Sequence, residues 1–377
     1  MSIQSEIDRI ITAVGSAYDA VESKGGTAPA AQTIGGLATA VDTIPTGIAL
    51  QLVVTVSAGA TVTATNGSKT ISGTADSTGV CTLIVPEPGT WSVSATLGGQ
   101  TSDTKTVSIT GSYAVALYFV SSTLNNNEWS VIKSVSDAGQ GANYWSIGDR
   151  KAVTLNGTVG KLSLSNVTTY AFIIGFNHNA SVEGANRIHF QLAKTALSGG
   201  TDVCLCDSKY APDNGWASAG AGYFAMNARN TNSGGWASSQ MRTAICGTII
   251  EVIPAALRAV LKSVTKYTDN TANGGSSTAS YVTATTDYFF LLSEFEVFGS
   301  IKYANTNEKN KQEQYAYYSA GNSKIKYKHA GTSTAAYWWS RSPSVSGSIN
   351  FVAVENTGTV NYGSANFSLG FAPGFCV

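Results

Sequence analysis

Two hydrophobic rhythms follow one another along this chain, and no single element type accommodates both. From Ile3 to Val21 the apolar positions Ile3, Ile7, Ile10, Val14, Ala17 and Val21 stand four and three apart in alternation, which lays one seam along an α-helix. From Leu52 onward the step becomes two, through Val54 and Val56, Val62 and Ala64, Val80, Leu83 and Val85, Trp91, Val93 and Ala95, and finally Val107 and Ile109. That is the spacing of short strands with one buried face. A chain of 377 residues also exceeds what one hydrophobic core supports. The expectation is a multidomain, mainly α+β molecule: a helical segment at 1–45, a small β-sandwich at 46–110 and a larger mixed domain at 111–377.

Isoleucine or valine at most seam positions favours self-association. Packing of the helix on its own domain is the alternative, because about three heptads are marginal alone. Gly25 or Gly26 suits a left-handed C-cap, and a second helix is predicted from Pro29 to Asp42 with Pro45 as the boundary. In the β region, Asn66-Gly67 predicts a tight hairpin turn and Pro86-Glu87-Pro88-Gly89 a second break. Number and spacing of strands fit an immunoglobulin-like sandwich, and because no residue cluster in it argues for chemistry, a passive spacer is expected ahead of a second binding module.

In the remainder, Leu257, Val260, Leu261 and Val264 predict a helix over Pro254–Val264, and a second helix is predicted over Glu308–Tyr318. Tyr288–Leu292 reads as a core strand, and Ser293 with Glu296 as a capping box. Strands are predicted at Lys324–Lys328, Ala335–Arg341, Asn350–Glu355, Val360–Tyr362 and Gly370–Cys376. Two helices followed by a strand-rich end is the order of a C-type-lectin-like fold.

Charge narrows the partners. Basic and acidic residues number 23 each and together make up only 12% of the chain, so there is no long-range field to gather nucleic acid. A surface of Ser, Thr, Asn and Gly suits glycans or protein surfaces approached through short-range hydrogen bonds and aromatic contact. The start MSIQSEIDRI lacks the pattern of a signal peptide, and no apolar run is long enough to span a bilayer. No membrane insertion is expected. An adhesin-like composition without an export signal fits a virion protein assembled in the host cytoplasm, and equally a cytoplasmic protein with an unusually bland surface.

Several stretches resemble known families. Tyr18–Ile44, YDAVESKGGTAPAAQTIGGLATAVDTI, resembles the attachment segment that opens tail and baseplate proteins of phages infecting Gram-positive bacteria. GVCTLIVPEPGTWSVSAT resembles a recurring pattern of surface and tail modules. The ordered landmarks WSVIKSVSDAGQGANYWSIGDRK, IIGFNHN, GGWASSQMR, FLLSEFEVFG, YWWSRSP and GFAPGFCV, between Trp129 and Val377, resemble prophage-encoded domains of unassigned function. Those in turn look like the C-type-lectin-like domains of phage tail receptor-binding proteins. The ending is also similar to target proteins of diversity-generating retroelements, although Ala372 stands where relatives commonly place an arginine.

The resemblance implies a fixed frame of Trp338, Trp339, Arg341, Phe351, Val352, Gly358, Val360, Gly370 and Phe375. It also implies outward ligand-binding positions at Ser344, Ser346, Ser348, Asn350, Asn356, Asn361, Tyr362, Ser364, Asn366, Phe367 and Ser368. Ser, Asn and Tyr in such places supply adaptable hydrogen bonds and rigid contact area, as in paratopes. The implied function is a phage tail fibre or receptor-binding protein that recognises a bacterial surface glycan or protein without catalysis. Residues 1–45 would hold it to other tail or baseplate proteins, and the resemblance to tail fibres implies a trimer as the form of self-association. The rival readings are a tail-associated glycan depolymerase and a purely structural tail or decoration protein.

Sites of chemistry are sparse. Calcium needs six to eight oxygen ligands, and the tail from Trp338 onward offers Glu355 alone, so neither a metal nor a cofactor is expected. Cys81, Cys204, Cys206, Cys246 and Cys376 read as reduced core residues rather than a disulfide or metal framework. A formylglycine-generating type of enzyme would need paired reactive cysteines, for which Cys246 and Cys376 are the candidates. For glycan hydrolysis the candidate carboxylates are Glu294 with Glu296, or Asp287, and the first two read as solvated. His178, His189 and His329 stand far apart in sequence, and His189 reads as an outward strand residue. Lys324, Lys326 and Lys328 read either as an edge strand guarded by charge or as a basic face for anionic wall polymers. Trp216 and Trp236 read as groove lining or as loop anchors.

Overall fold

The computed structural model describes residues 2–44, 50–67, 69–194, 201–272 and 277–377. The chain is mixed helix and sheet, with an N-terminal helix and several β-sheets. It divides into two compact units, residues 1–119 and 120–377. The expected boundary at Pro45 and the expected start of the β region at Thr46 lie outside the described residues.

In the first unit, α1 spans Ile3–Ser23 and opens at Ser2, whose side chain accepts from the Ser5 N–H. α2 spans Ile34–Asp42. It starts later than the predicted Pro29 because the Thr33 hydroxyl caps the Gly36 N–H at 3.2 Å. Tyr18, Val21 and Ala40 form a small joint core, and the Tyr18 hydroxyl donates to the Thr33 carbonyl at 2.8 Å. The other end of the seam is bare: Ile3, Ile7 and Ile10 are 82, 43 and 49% exposed.

The strands that follow are β1 (Leu50–Thr55), β2 (Thr61–Asn66), β3 (Lys69–Thr74), β4 (Val80–Val85), β5 (Gly89–Leu97), β6 (Gln100–Thr101), β7 (Lys105–Ile109) and β8 (Tyr113–Ala116). One sheet runs β4-β1-β8; the other runs β3-β2-β5-β6, with β7 also on β5. The period-two residues Leu52, Val54, Val62, Ala64, Trp91 and Val93 meet between them in one core. That core also takes in Leu117 and Phe119. β8 pairs in parallel with β1, so this unit extends beyond the predicted end at Thr110.

In the second unit, α3 (Trp129–Asp137) and α4 (Gly141–Tyr144) precede a long hairpin of β9 (Arg150–Val159) and β10 (Leu162–Phe176). Then come α5 (Ala180–Glu183), β11 (Ile188–Lys194), β12 (Val203–Cys204), α6 (Gly235–Ser238), α7 (Cys246–Val252), α8 (Ala255–Arg258), β13 (Val264–Asp269), β14 (Val282–Asp287) and β15 (Phe289–Phe290). The last third carries α9 (Glu294–Phe298), α10 (Ala316–Ser319), β16 (Lys326–Lys328), β17 (Gly331–Ala336), β18 (Trp338–Pro343), β19 (Asn350–Val354), β20 (Val360–Ser364) and β21 (Gly374–Cys376). The largest described sheet of this unit runs β15-β21-β11-β10-β9, so the C-terminal strand is held inside it, between β15 and β11. Smaller sheets run β12-β16-β17, β13-β14 and β18-β19-β20.

Three elements differ from expectation. The helix expected over Pro254–Val264 is one turn, α8. The Lys262 N–H beyond it donates to the Cys376 carbonyl at 2.9 Å, and Val264 already opens β13. The helix expected over Glu308–Tyr318 is a 3-10 turn at Glu308–Asn310 and the separate α10. Between them Gln312 turns inward and donates to the Tyr267 carbonyl at 2.6 Å. In the predicted strand Tyr288–Leu292, only Phe289–Phe290 pair, and Tyr288 is exposed. The capping box is present: the Ser293 hydroxyl accepts from the Glu296 N–H, and the Glu296 carboxylate accepts from the Ser293 N–H.

Candidate functional site

β18, β19 and β20 build the face on which the predicted contact residues fall. Trp338 lies opposite Val354, Val352 opposite Tyr362 and Ala353 opposite Asn361, with β20 at the edge. The implied frame is largely interior: Trp338, Trp339, Arg341, Phe351, Val352 and Phe375 have no exposed surface. Val360 and Gly358 are half-buried, the latter in a turn at φ +83°. Gly370 has no alternative, because a Cβ there would lie 2.2 Å from the Cys204 Sγ.

Of the outward positions, Ser346, Ser348, Asn356 and Tyr362 are exposed, while Asn350, Asn361, Ser364, Asn366 and Phe367 are half-buried. Two are not outward at all. Ser368 is buried and its hydroxyl donates to Asp207 Oδ1 at 2.8 Å. Ser344 is buried because its carbonyl, with those of Gly347 and Asn350, accepts from the Asn232 side-chain amide at 3.1, 2.8 and 3.0 Å. Asn232 thereby fixes the loop that presents Ser346 and Ser348. Nothing in its own stretch, NTNSGGW, distinguishes it from its polar neighbours.

Tyr362 packs edge-on against Tyr303, ring centroids 4.9 Å apart. Asn361 donates from its side-chain amide to Glu355, which also accepts from the Thr357 and Thr359 hydroxyls. The hydrogen bond from Thr359 leads in holding the Glu355 carboxyl below its ordinary range. Beside Phe367 stands Trp216, 40% exposed, its ring 5.8 Å from Phe367 and 5.1 Å from Tyr337. Trp236, the other tryptophan read as groove lining, is fully buried and donates its indole N–H to Asp287 at 3.2 Å.

Behind β18 lies a group of buried ionisable residues that sequence reading dispersed. Lys266 Nζ donates to Glu183 Oε2 at 2.7 Å, Glu296 Oε1 at 2.9 Å and the Tyr315 hydroxyl at 2.8 Å. Arg341 grips both oxygens of Glu296 and donates to the Thr268 hydroxyl and the Leu291 carbonyl. His178 stacks on the Tyr315 ring at 3.7 Å, and the His189 ring lies 5.4 Å from it. His189 is therefore inward, not outward: β11 is an inner strand of its sheet, and Nδ1 lies 3.2 Å from the Tyr315 hydroxyl and 3.1 Å from the Cys376 Sγ.

The protonation states follow from burial and partner. Desolvation, then Lys266, pushes His178 down to about 3, and the same causes hold His189 well below the ordinary imidazole range. Desolvation raises Glu183 to about 7 against the pull of Lys266. Desolvation opposes ionisation of Glu296, but Arg341 and Lys266 outweigh it and hold the carboxyl far below its usual range. His178, Glu183 and Glu296 offer ligand atoms within 4.8 Å of one another. Lys266 and Arg341 already balance the two carboxylates, so an added divalent ion would meet two cations.

The other proposed chemistry is sealed in the same way. Glu294 and Glu296, expected to be solvated, are 1 and 0% exposed. Glu294 accepts from the backbone N–H groups of Lys302, Tyr303 and Ala304, so its carboxylate is enclosed and engaged rather than solvated. Asp287 is tied to Arg242 at 2.7 Å. All five cysteines are free and buried, and desolvation raises the Cys246 and Cys376 thiols, which suppresses nucleophilic thiolate. The lysine face is also corrected. β16 lies between β12 and β17 rather than at an edge, and Lys326 is buried with Nζ 5.0 Å from the Trp338 ring centre. Lys328 pairs with Asp213. No helix among the described residues is long and apolar enough to cross a membrane.

Residues 219–377 match a family described as a domain of unknown function, DUF6273. The match begins just after Trp216 and takes in α6 to β21, hence the β18-β19-β20 face and most of the buried ionic group. No curated protein matches the chain.

Proposed function

We propose that this chain is a bacteriophage tail receptor-binding protein, carried in the virion after assembly in the host cytoplasm. In this reading its second unit is a C-type-lectin-like domain that touches the host bacterial surface without catalysis. The β1–β8 unit is an immunoglobulin-like spacer, and residues 1–45 attach to other tail proteins and bring copies of the chain together as a trimer. The observation that carries the reading is the division of the last forty or so residues. Polar and aromatic side chains from Ser346 to Phe367 reach solvent, above large side chains with no exposure at all. A rigid base under adaptable Ser, Asn and Tyr contacts is how binding surfaces limit the entropy lost on association. The sequence landmarks between Trp129 and Val377 support the same assignment, and bare Ile3, Ile7 and Ile10 support self-association.

Cosedimentation of the purified chain with envelopes of susceptible bacteria tests the proposal. Saturable binding is expected, with no release of reducing sugar ends. Folded protein that remains in the supernatant with every envelope would refute it, and new reducing ends would replace it with the depolymerase reading.

A further inference from the structure

Trp216 stands out among the exposed aromatic residues by its backbone. Its φ is +65°, a conformation that a bulky side chain adopts only when its surroundings impose it. They do so here through a dense set of bonds. The Trp216 N–H donates to the Ala211 carbonyl at 2.6 Å, the Ala211 N–H to the Ser368 carbonyl at 2.7 Å, and the Ala219 N–H to the Asn366 carbonyl at 2.8 Å. The Asn214 side chain ties down the Ser208 and Tyr210 carbonyls, and the Tyr210 hydroxyl accepts from the Tyr337 N–H at 2.8 Å. The indole is held against Tyr337 and Phe367 at 5.1 and 5.8 Å, yet remains 40% exposed. Asn214 and Ser218, two residues to either side of it in the chain, are exposed, and the amide of Asn366, next to Phe367, donates to the Ser218 hydroxyl at 2.6 Å.

From this geometry we infer that Trp216 is a stacking platform for one pyranose ring of a bacterial surface glycan, deepening the receptor-binding reading on which it rests. A pyranose has an apolar face of C–H bonds and an edge of hydroxyls. A single fixed indole matches the face, and amide and hydroxyl neighbours match the edge. A protein partner would require a contact of several hundred square ångströms with aromatic or arginine anchors, whereas this aromatic cluster is small, made of Trp216, Tyr337 and Phe367. Phe367 and Asn366 connect the platform to the β18-β19-β20 face.

The test uses the full chain and a panel of methyl pyranosides of glucose, galactose, N-acetylglucosamine and rhamnose, observed by saturation-transfer NMR. At least one should show saturation of its ring C–H protons, with affinity roughly tenfold weaker in Trp216→Gly and largely kept in Trp216→Phe. Glycine suits the φ at this position, so Trp216→Gly tests the ring rather than the fold, and an unchanged melting temperature checks that. No saturation with any glycoside, or equal saturation in Trp216→Gly, overturns the platform. In parallel, wild type and Trp216→Gly are bound to envelopes treated with periodate or with protease. Binding lost to periodate and weakened in Trp216→Gly supports a sugar ligand. Binding lost only to protease, or undiminished in Trp216→Gly, overturns it while leaving receptor binding standing. Wild type that binds no envelope overturns receptor binding itself.

Discussion

Arg341 is the residue whose removal should be felt most. Its guanidinium is fully buried and paired through two nitrogens to Glu296, which also binds Lys266. Truncating one member of such a group strands a buried charge, at about 3–5 kcal/mol. Arg341→Ala is therefore expected to lower the free energy of unfolding of the second unit by about 3 kcal/mol or more, read from denaturant melts. A loss below about 1 kcal/mol, the range of exposed pairs, would mean that the ion pair does not persist in solution. Gly370→Ala is expected to cost about 1–3 kcal/mol by overpacking, since the new methyl group would meet Cys204. The resemblance places both residues in the fixed frame, but their partners are not legible in sequence. Glu183, Lys266, Glu296, Tyr315 and Arg341 come from five distant segments, and only the fold brings them together.

Among elements, the clearest were those whose signal is local. The α1 periodicity, the alternation in β1, β2, β4 and β5, and the Ser293–Glu296 box each depend on neighbours within a few residues. β8 was illegible because Tyr113–Ala116 is short and its partner, β1, lies far back in the chain. Fragments should separate the two ends: residues 1–119 are expected to melt cooperatively, whereas residues 1–110, lacking β8 and Leu117, should melt at a lower temperature or not cooperatively at all. The bare half of the α1 seam gives another expectation. Ile7→Glu with Ile10→Glu should turn an oligomer into a monomer by light scattering, and a wild type already monomeric at micromolar concentration would contradict self-association through this helix. Helical spacing misled at Pro254–Val264, where the same apolar residues serve a single turn and then the approach to β13.

At the scale of the whole molecule, the buried ionisable groups shape the response to pH. A histidine depressed from 6.5 to about 3 contributes stability that is complete above pH 6.5 and is lost as pH falls toward 3, at about 1.4 kcal/mol per pH unit. His178 and His189 both act in this sense. Glu183 and Glu308 act in the opposite sense. Each is raised by desolvation from 4.5 to about 7, so its contribution is complete below pH 4.5 and is lost as pH rises through 7. The two pairs offset between pH 4.5 and 6.5. Stability should thus be nearly flat across that window and fall below it, where Glu296 adds to the loss. Glu308→Gln removes one offset, so that variant should lose about 1.4 kcal/mol for each pH unit by which pH falls within the window. A slope equal to that of wild type would contradict the assignment.

The outward face was partly legible, because strand alternation separates Tyr362 from its inward neighbours. Ser344 and Ser368 were not, since nothing local reveals the partners Asn232 and Asp207. The most direct test of attachment through this face is the adsorption rate of the Tyr362→Ala, Asn366→Ala double variant on susceptible cells. Both side chains stand at the surface or half-buried, so the variant should remain folded while adsorption falls at least about tenfold. A folded double variant that adsorbs as fast as wild type would contradict the account.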